Sequence, residues 1–354
     1  MPSSLTLRAG PDALALVRSR GLRAEDVDVI PAASGGAKWL ALAGLDTWLF
    51  GDFLRAPRTR PMHLIGSSIG SWRMACLAQR DPAAALARGH HAYVHEQRYS
   101  PKPSPSEVSA VLARALDRML GTTGVDEILV HPWARLHVLT AATRGLVAST
   151  RRLALSAGIA LAAAGNLVSR RTLALQMRRV VFHSCGDDTP FRHLADLPTT
   201  HVPLGRANLR AALLASGSIP LLMEGVHVPD APAGVCWDGG VLDYHLDLDF
   251  GAGAGLVLYP HFYAHVVPGW FDKSLPWRRA RGHNFRRALV VAPSDAFVAS
   301  LPGGKIPDRR DFYTLSESER VRRWQTTVDM SAELGHELRD LVATGRVADV
   351  VRPW

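Results

Sequence analysis

The chain has 354 residues, a formal net charge of +9, 47% hydrophobic and 21% charged residues. That composition supplies a sizeable apolar core and does not point to disorder, while the length suits one α/β domain over residues 1–354 with a large insertion. "MPSSLTLRAGPDALALVRSRG" has no charged leader followed by a continuous apolar run, and Cys76, Cys185 and Cys236 form neither an even disulfide set nor a metal-type pair, so a cytoplasmic location is expected.

In chain order, "VDVIPAA" (Val27 to Ala33) is a short β-prone run, followed by the glycine turn "SGGAK" and then "WLALAGLDTWLF", which has helical length and spacing. The pattern repeats at once: "RPMHLI" reads as a strand, "GSSIG" as a turn, and "SWRMACLAQR" as a helix stopped by Asp81 and Pro82. Two successive βα units predict a parallel sheet whose ligand-binding turns lie at its carboxyl edge. Residues 82–176 interrupt the alternation and read as a mainly helical insertion, a cap or lid. Further strands are expected at Arg178–Ser184, Thr199–Leu204, Gly255–Pro260 and Arg286–Ser294, with a helix over "RANLRAALLASGS". The C-terminal segment 308–354 is expected to be helical, with one long helix or two between Glu317 and Thr344.

Gly66, Ser67, Ser68, Ile69 and Gly70 satisfy G-x-S-x-G, a pattern that holds a serine out at a sheet edge on a strained strand-to-helix turn. The glycines of "SGGAK" let backbone N–H groups approach a developing oxyanion, and Lys38 adds positive charge. Downstream, "CWDGGVLDYH" places Asp238 before two glycines small enough to let its carboxylate reach another loop.

In this order, "SGGAKW", "GSSIG", "ASGSIPLLMEGVHV" and "DGGVLD" resemble the patatin-like phospholipase family, over Val27 to about Asp243. The resemblance implies a three-layer α/β/α fold with a mainly parallel sheet and a Ser-Asp dyad acting on acyl lipid esters through an acyl-enzyme. It assigns Ser68 as nucleophile, Asp238 as base, and Gly35, Gly36, Ala37 and Lys38 to the oxyanion loop, with no cofactor and no metal. Where the family loop usually reads D-G-G-G-x-R-G, this chain has Ala33, Ser34, Lys38 and Trp39 at its first two, arginine and last-glycine positions. Trp39 is thus expected to add bulk beside the oxyanion hole.

From Ile128 through Gly186 there is no Asp or Glu, and "RRLALSAGIALAAAGNLVSRR" sets a mostly apolar run between Arg151-Arg152 and Arg170-Arg171. The run falls short of the ~20 residues that span a bilayer, so it reads either as a segment lying on an anionic membrane or as a buried cap helix. Nucleic acid is not expected as partner, because the basic residues alternate with aliphatic ones rather than with stacking aromatics. Two other readings stay open: a Ser-Asp-His triad drawing on His245, His261, His265 or His283, and a non-catalytic membrane-binding protein. "DYHLDLDF", with Asp243, Asp247 and Asp249, lacks a calcium-loop pattern.

Overall fold

The computed structural model describes residues 3–186, 189–251, 253 and 255–354. Its strands are β1 (Leu5–Ala9), β2 (Val27–Ala32), β3 (Met62–Ser67), β4 (Ala134–Thr143), β5 (Met177–His183), β6 (Thr199–Pro203), β7 (Val235–Asp238), β8 (Leu256–Pro260), β9 (Ala288–Pro293) and β10 (Arg352–Pro353). Nine of them run in the order β10-β1-β9-β8-β2-β3-β4-β5-β6, and β7 pairs with β4 off that path. The central block β9-β8-β2-β3-β4 is parallel throughout, whereas β4 meets both β5 and β7 antiparallel. Helices flank the sheet, giving a three-layer α/β/α arrangement. The central strands are covered on both faces and therefore read as nearly continuous apolar runs, as in "HLIGS" and "ALVVAP".

Both sequence-predicted βα units are present. The strand β2 leads through the glycine turn into a helical stretch at Gly36–Leu42 and the helix Ala43–Gly51, and β3 leads into the helix Ile69–Leu77. The C-terminal segment is helical at Asp311–Thr314, Glu317–Met330, Ala332–Ala343 and Val347–Val350; of the two expected arrangements, one long helix or two, the structure has two, which meet at Ser331. The chain then closes on β10, a short partner of β1.

Residues 82–176 are mainly helical, as expected, but the reading of the whole segment as an insertion that interrupts the sheet needs correction. Helices occupy Pro82–His95, Pro105–Leu120, Gly124–Leu129 and Arg152–Val168, but Ala134–Thr143 is a ten-residue strand in the middle of the sheet. With neighbours on both edges and layers on both faces, "ARLHVLTAAT" buries nearly every side chain and has no reason to alternate. Among the described residues no helix is long and apolar enough to cross a membrane.

Candidate active site

The strand β3 ends at Ser67, and Ser68 turns the chain into the helix Ile69–Leu77 with φ 56° and ψ −132°, a conformation L-residues rarely adopt. The flanking glycines are required by contact. A Cβ on Gly66 would sit 2.4 Å from the Ser71 amide nitrogen, and one on Gly70 would sit 2.0 Å from the Ala32 carbonyl oxygen. The strain is held by side chains: the Ser68 N–H donates to Ser216 Oγ at 2.9 Å, and Ser216 Oγ donates on to the Leu139 carbonyl at 2.7 Å.

Register brings the second residue in. β3 pairs with β4 from Met62↔Ala134 to Ser67↔Leu139, and β7 takes over the same edge from Thr140↔Asp238 to Thr143↔Val235. Ser68 and Asp238 thus meet where the two strands abut, although 170 residues separate them in sequence. Ser68 Oγ donates to Asp238 Oδ2 at 2.6 Å, while Asp238 Oδ1 accepts from the Gly240 N–H at 2.7 Å. The glycines after Asp238 are needed: a Cβ on Gly239 would lie 2.2 Å from the Leu139 carbonyl oxygen, and one on Gly240 2.3 Å from Ser34 Oγ. The Asp238 N–H donates to the Ser218 carbonyl at 2.9 Å, so "SGS" (216–218) grips the backbone of both members of the pair.

Both residues are nearly enclosed, with 7% exposure for Ser68 and 6% for Asp238. Burial raises the Asp238 pKa to about 6, against the hydrogen bonds from Ser68 and Gly240 and the Lys273 charge, all of which favour the carboxylate. A carboxyl poised there is ionised at neutral pH yet basic enough to accept a proton.

The glycine loop lies on the same cavity. Gly36 has φ +55°, and the Lys38 N–H closes the first turn onto the Gly35 carbonyl at 3.3 Å. The Gly36 and Ala37 amides open that turn and have no acceptor inside it. The Lys38 amide is occupied, so Lys38 faces the site through its side chain. The expected bulk of Trp39 is turned away: its indole is buried against His90 and Tyr93, at centroid distances of 4.3 and 5.6 Å.

The cavity measures about 730 Å³ and is bordered by Ser68, Asp238 and the glycine loop. Val108, Leu112, Ile159, Ile219, Leu222 and Met223 give it apolar wall, and six cations reach it, namely Lys38, Lys273, Arg279, Arg309, Arg310 and Arg320. The acids on its lining are Asp238, Asp308 and Glu317. Lys273 holds its ammonium 3.9 Å from the Tyr244 ring centroid, and desolvation, with Lys38 and Arg309 adding repulsion, lowers its pKa to about 7. Lys273 and Arg309 lie on loops far from any motif, and Ser216 was visible in sequence only as part of "ASGSIP".

No histidine joins the pair: among the described residues Asp238 is the only side chain hydrogen-bonded to Ser68 Oγ. His245 is buried and accepts from the Val267 N–H, His261 is buried beneath Tyr263, and His283 is exposed. His265 borders the cavity. Asp243 serves a structural ion pair, its two oxygens accepting from Arg179 at 2.6 and 2.7 Å.

The basic segment divides. Arg151, Arg152 and Arg171 are exposed, but Arg170 turns inward to Asp272 at 2.8 Å and to the Leu242 carbonyl at 3.0 Å, and Arg179 is buried in its pair with Asp243 and Asp196. The helix Arg152–Val168 buries Leu155, Gly158, Ala162 and Asn166 and extends Ile159 to the cavity. Of nine exposed large apolar side chains among the described residues, six fall between Leu146 and Leu175, including Leu153 at 87% and Val168 at 84%. Compared with known proteins, the chain matches no family model, no curated protein and no solved structure.

Proposed function

We propose that the protein is a serine acyl hydrolase of patatin-like type, cleaving carboxylic esters of acyl lipids through a Ser68–Asp238 dyad. The observation that carries this reading is the 2.6 Å bond from a strained, nearly enclosed serine to a carboxylate whose basicity burial has raised. The order of motifs that resembles the family adds support.

In the first half-reaction Ser68 Oγ attacks the ester carbonyl carbon while its proton passes to Asp238 Oδ2. The oxyanion accepts from the Gly36 and Ala37 N–H groups. Asp238 then returns the proton to the departing alcohol, leaving an acyl-enzyme at Ser68. In the second half Asp238 deprotonates a water that attacks the acyl carbon, and the carboxylic acid leaves as Ser68 recovers its proton. The apolar wall suits an acyl chain, and the ammonium of Lys273 with Lys38 and Arg309 suits an anionic group beside the ester, as in a glycerophospholipid. A long-chain fluorophosphonate is expected to label Ser68 stoichiometrically, read by peptide mass spectrometry. Absence of the adduct in folded protein would sink the proposal.

The same reading places the protein on anionic membrane surfaces through the face that carries Leu153, Leu167, Val168, Arg151, Arg152 and Arg171. Exposed apolar side chains interleaved with cations, on the helix that also sends Ile159 to the cavity, are what an interfacial enzyme requires. Replacing Arg151, Arg152 and Arg171 by Gln is expected to weaken binding to phosphatidylglycerol-containing vesicles about fivefold per charge, with little effect on zwitterionic vesicles. Co-sedimentation measures both. Arg170→Gln should instead lower the unfolding temperature, since its partner Asp272 is buried.

A further inference from the structure

Four of the fifteen histidines are gathered on neighbouring strands, away from the dyad. His63 lies on β3, His137 on β4, His183 on β5 and His201 on β6. Register puts them on one face: Ile65, two residues from His63, pairs with His137; His137 pairs with His183; and Val181, two residues from His183, pairs with His201. Cys185 follows two residues after the end of β5. The cluster is at the opposite end of β3 from the dyad, five residues and roughly 16 Å from Ser68 at the rise of a strand.

We propose that His63, His137 and Cys185 form a binding site for a divalent first-row transition ion, zinc foremost. His63 Nδ1 and His137 Nε2 are 3.2 Å apart, and one ligand atom from each of the three residues lies within 4.8 Å of the others. Two nitrogens on a tetrahedral zinc are separated by about 3.3 Å and a nitrogen and a sulfur by about 3.6 Å. The imidazole pair is therefore already at ligand spacing, and Cys185, on the turn after β5, needs to close by on the order of 1 Å. His183 Nδ1 stands 3.5 Å from Cys185 Sγ and holds the thiol from the side. The Phe191 ring, wholly buried, packs edge-on to His137 with centroids 4.7 Å apart and limits water there.

Imidazole and thiolate together select zinc, cobalt or copper over magnesium and calcium, which require oxygen. Three protein ligands leave a fourth position for water or an exchangeable ligand. Binding displaces the Cys185 thiol proton to solvent as the S–Zn bond forms, so affinity should rise with pH. Both histidines are neutral at pH 7 because burial disfavours the imidazolium. Sequence spacing conceals the set, since its members come from two strands and from the turn after a third, across some 120 residues of chain, rather than from a short C-x-x-C or H-x-x-x-H repeat.

The test uses the full chain, stripped with a chelator and titrated with Co²⁺ and then Zn²⁺. One equivalent of Co²⁺ is expected to give a near-ultraviolet sulfur-to-cobalt charge-transfer band that one equivalent of Zn²⁺ abolishes. Cys185→Ser should lose the band and bind Zn²⁺ at least tenfold more weakly, and His63→Gln, at a half-buried position, should also weaken binding. Ser68→Ala should bind as wild type does, which separates this site from the dyad. Equal unfolding temperatures in chelator establish that the variants are folded. Wild-type protein that takes up no more Zn²⁺ than Cys185→Ser, or a cobalt spectrum without the thiolate band, would overturn the assignment.

Discussion

Ser68→Ala and Asp238→Ala are each expected to lower kcat/KM for an acyl ester by about 10⁴-fold, and the double variant by little more, because the two groups act as one unit. Asp238→Asn, which keeps size but cannot take the proton, should be as inactive. All four variants should fold, since both side chains meet the cavity and neither carries the sheet. The pH profile supplies a second, independent readout. Raised to about 6 by burial, Asp238 is protonated below that pH and ionised above it, so kcat/KM should climb through pH 6 and level off. The Lys273 charge favours the carboxylate, so Lys273→Met should move that limb to higher pH. A limb that stays in place would remove Lys273 from the electrostatics of the dyad, and full activity in folded Asp238→Ala would remove the dyad itself.

The largest stability effect is expected at Arg73. This residue lies on the helix that follows Ser68, 1% exposed, and donates through Nε and Nη2 to Asp46 at 2.8 and 2.7 Å; Asp46 has no exposure. Arg73→Ala would strand a carboxylate in the core and cost about 3–5 kcal/mol. Arg73→Met combined with Asp46→Leu should recover most of it, because two apolar side chains of similar volume carry no desolvation penalty. Urea unfolding of Arg73→Met, Asp46→Leu and the double variant measures the cycle. Single variants within error of wild type would mean that water reaches the pair. Activity should fall with stability in Arg73→Ala, since the helix it anchors begins one residue after Ser68.

Local chemistry made part of the site legible. A strand, a G-x-S-x-G turn and a helix leave one geometry for Ser68, and the glycines beside Asp238 mark a close approach that the structure places against Leu139 and Ser34. The sheet was legible where strands follow one another through short glycine turns. It was hidden at β4, whose buried faces erase alternation, and at β7, whose four residues read as a loop. β1 also went unread. Lys273 and Arg309 approach the dyad through tertiary folding alone, and no spacing in the chain announces them. Arg170 and Arg179 look like surface charge in sequence, and only their acidic partners, distant along the chain, turn them inward.

The abutment of β3 and β7 along one edge of β4 has a consequence for biogenesis. Leu139 and Thr140, neighbours on β4, set the positions of Ser67 and Asp238. A nascent chain that has emerged only as far as Gly234 has its elbow, its glycine loop and the strand that aligns them, but no carboxylate beside Ser68. On the proposed mechanism Ser68 would therefore stay unarmed until the four residues of β7 dock, so a lipid-ester hydrolase of this kind would gain its base only late in its own synthesis.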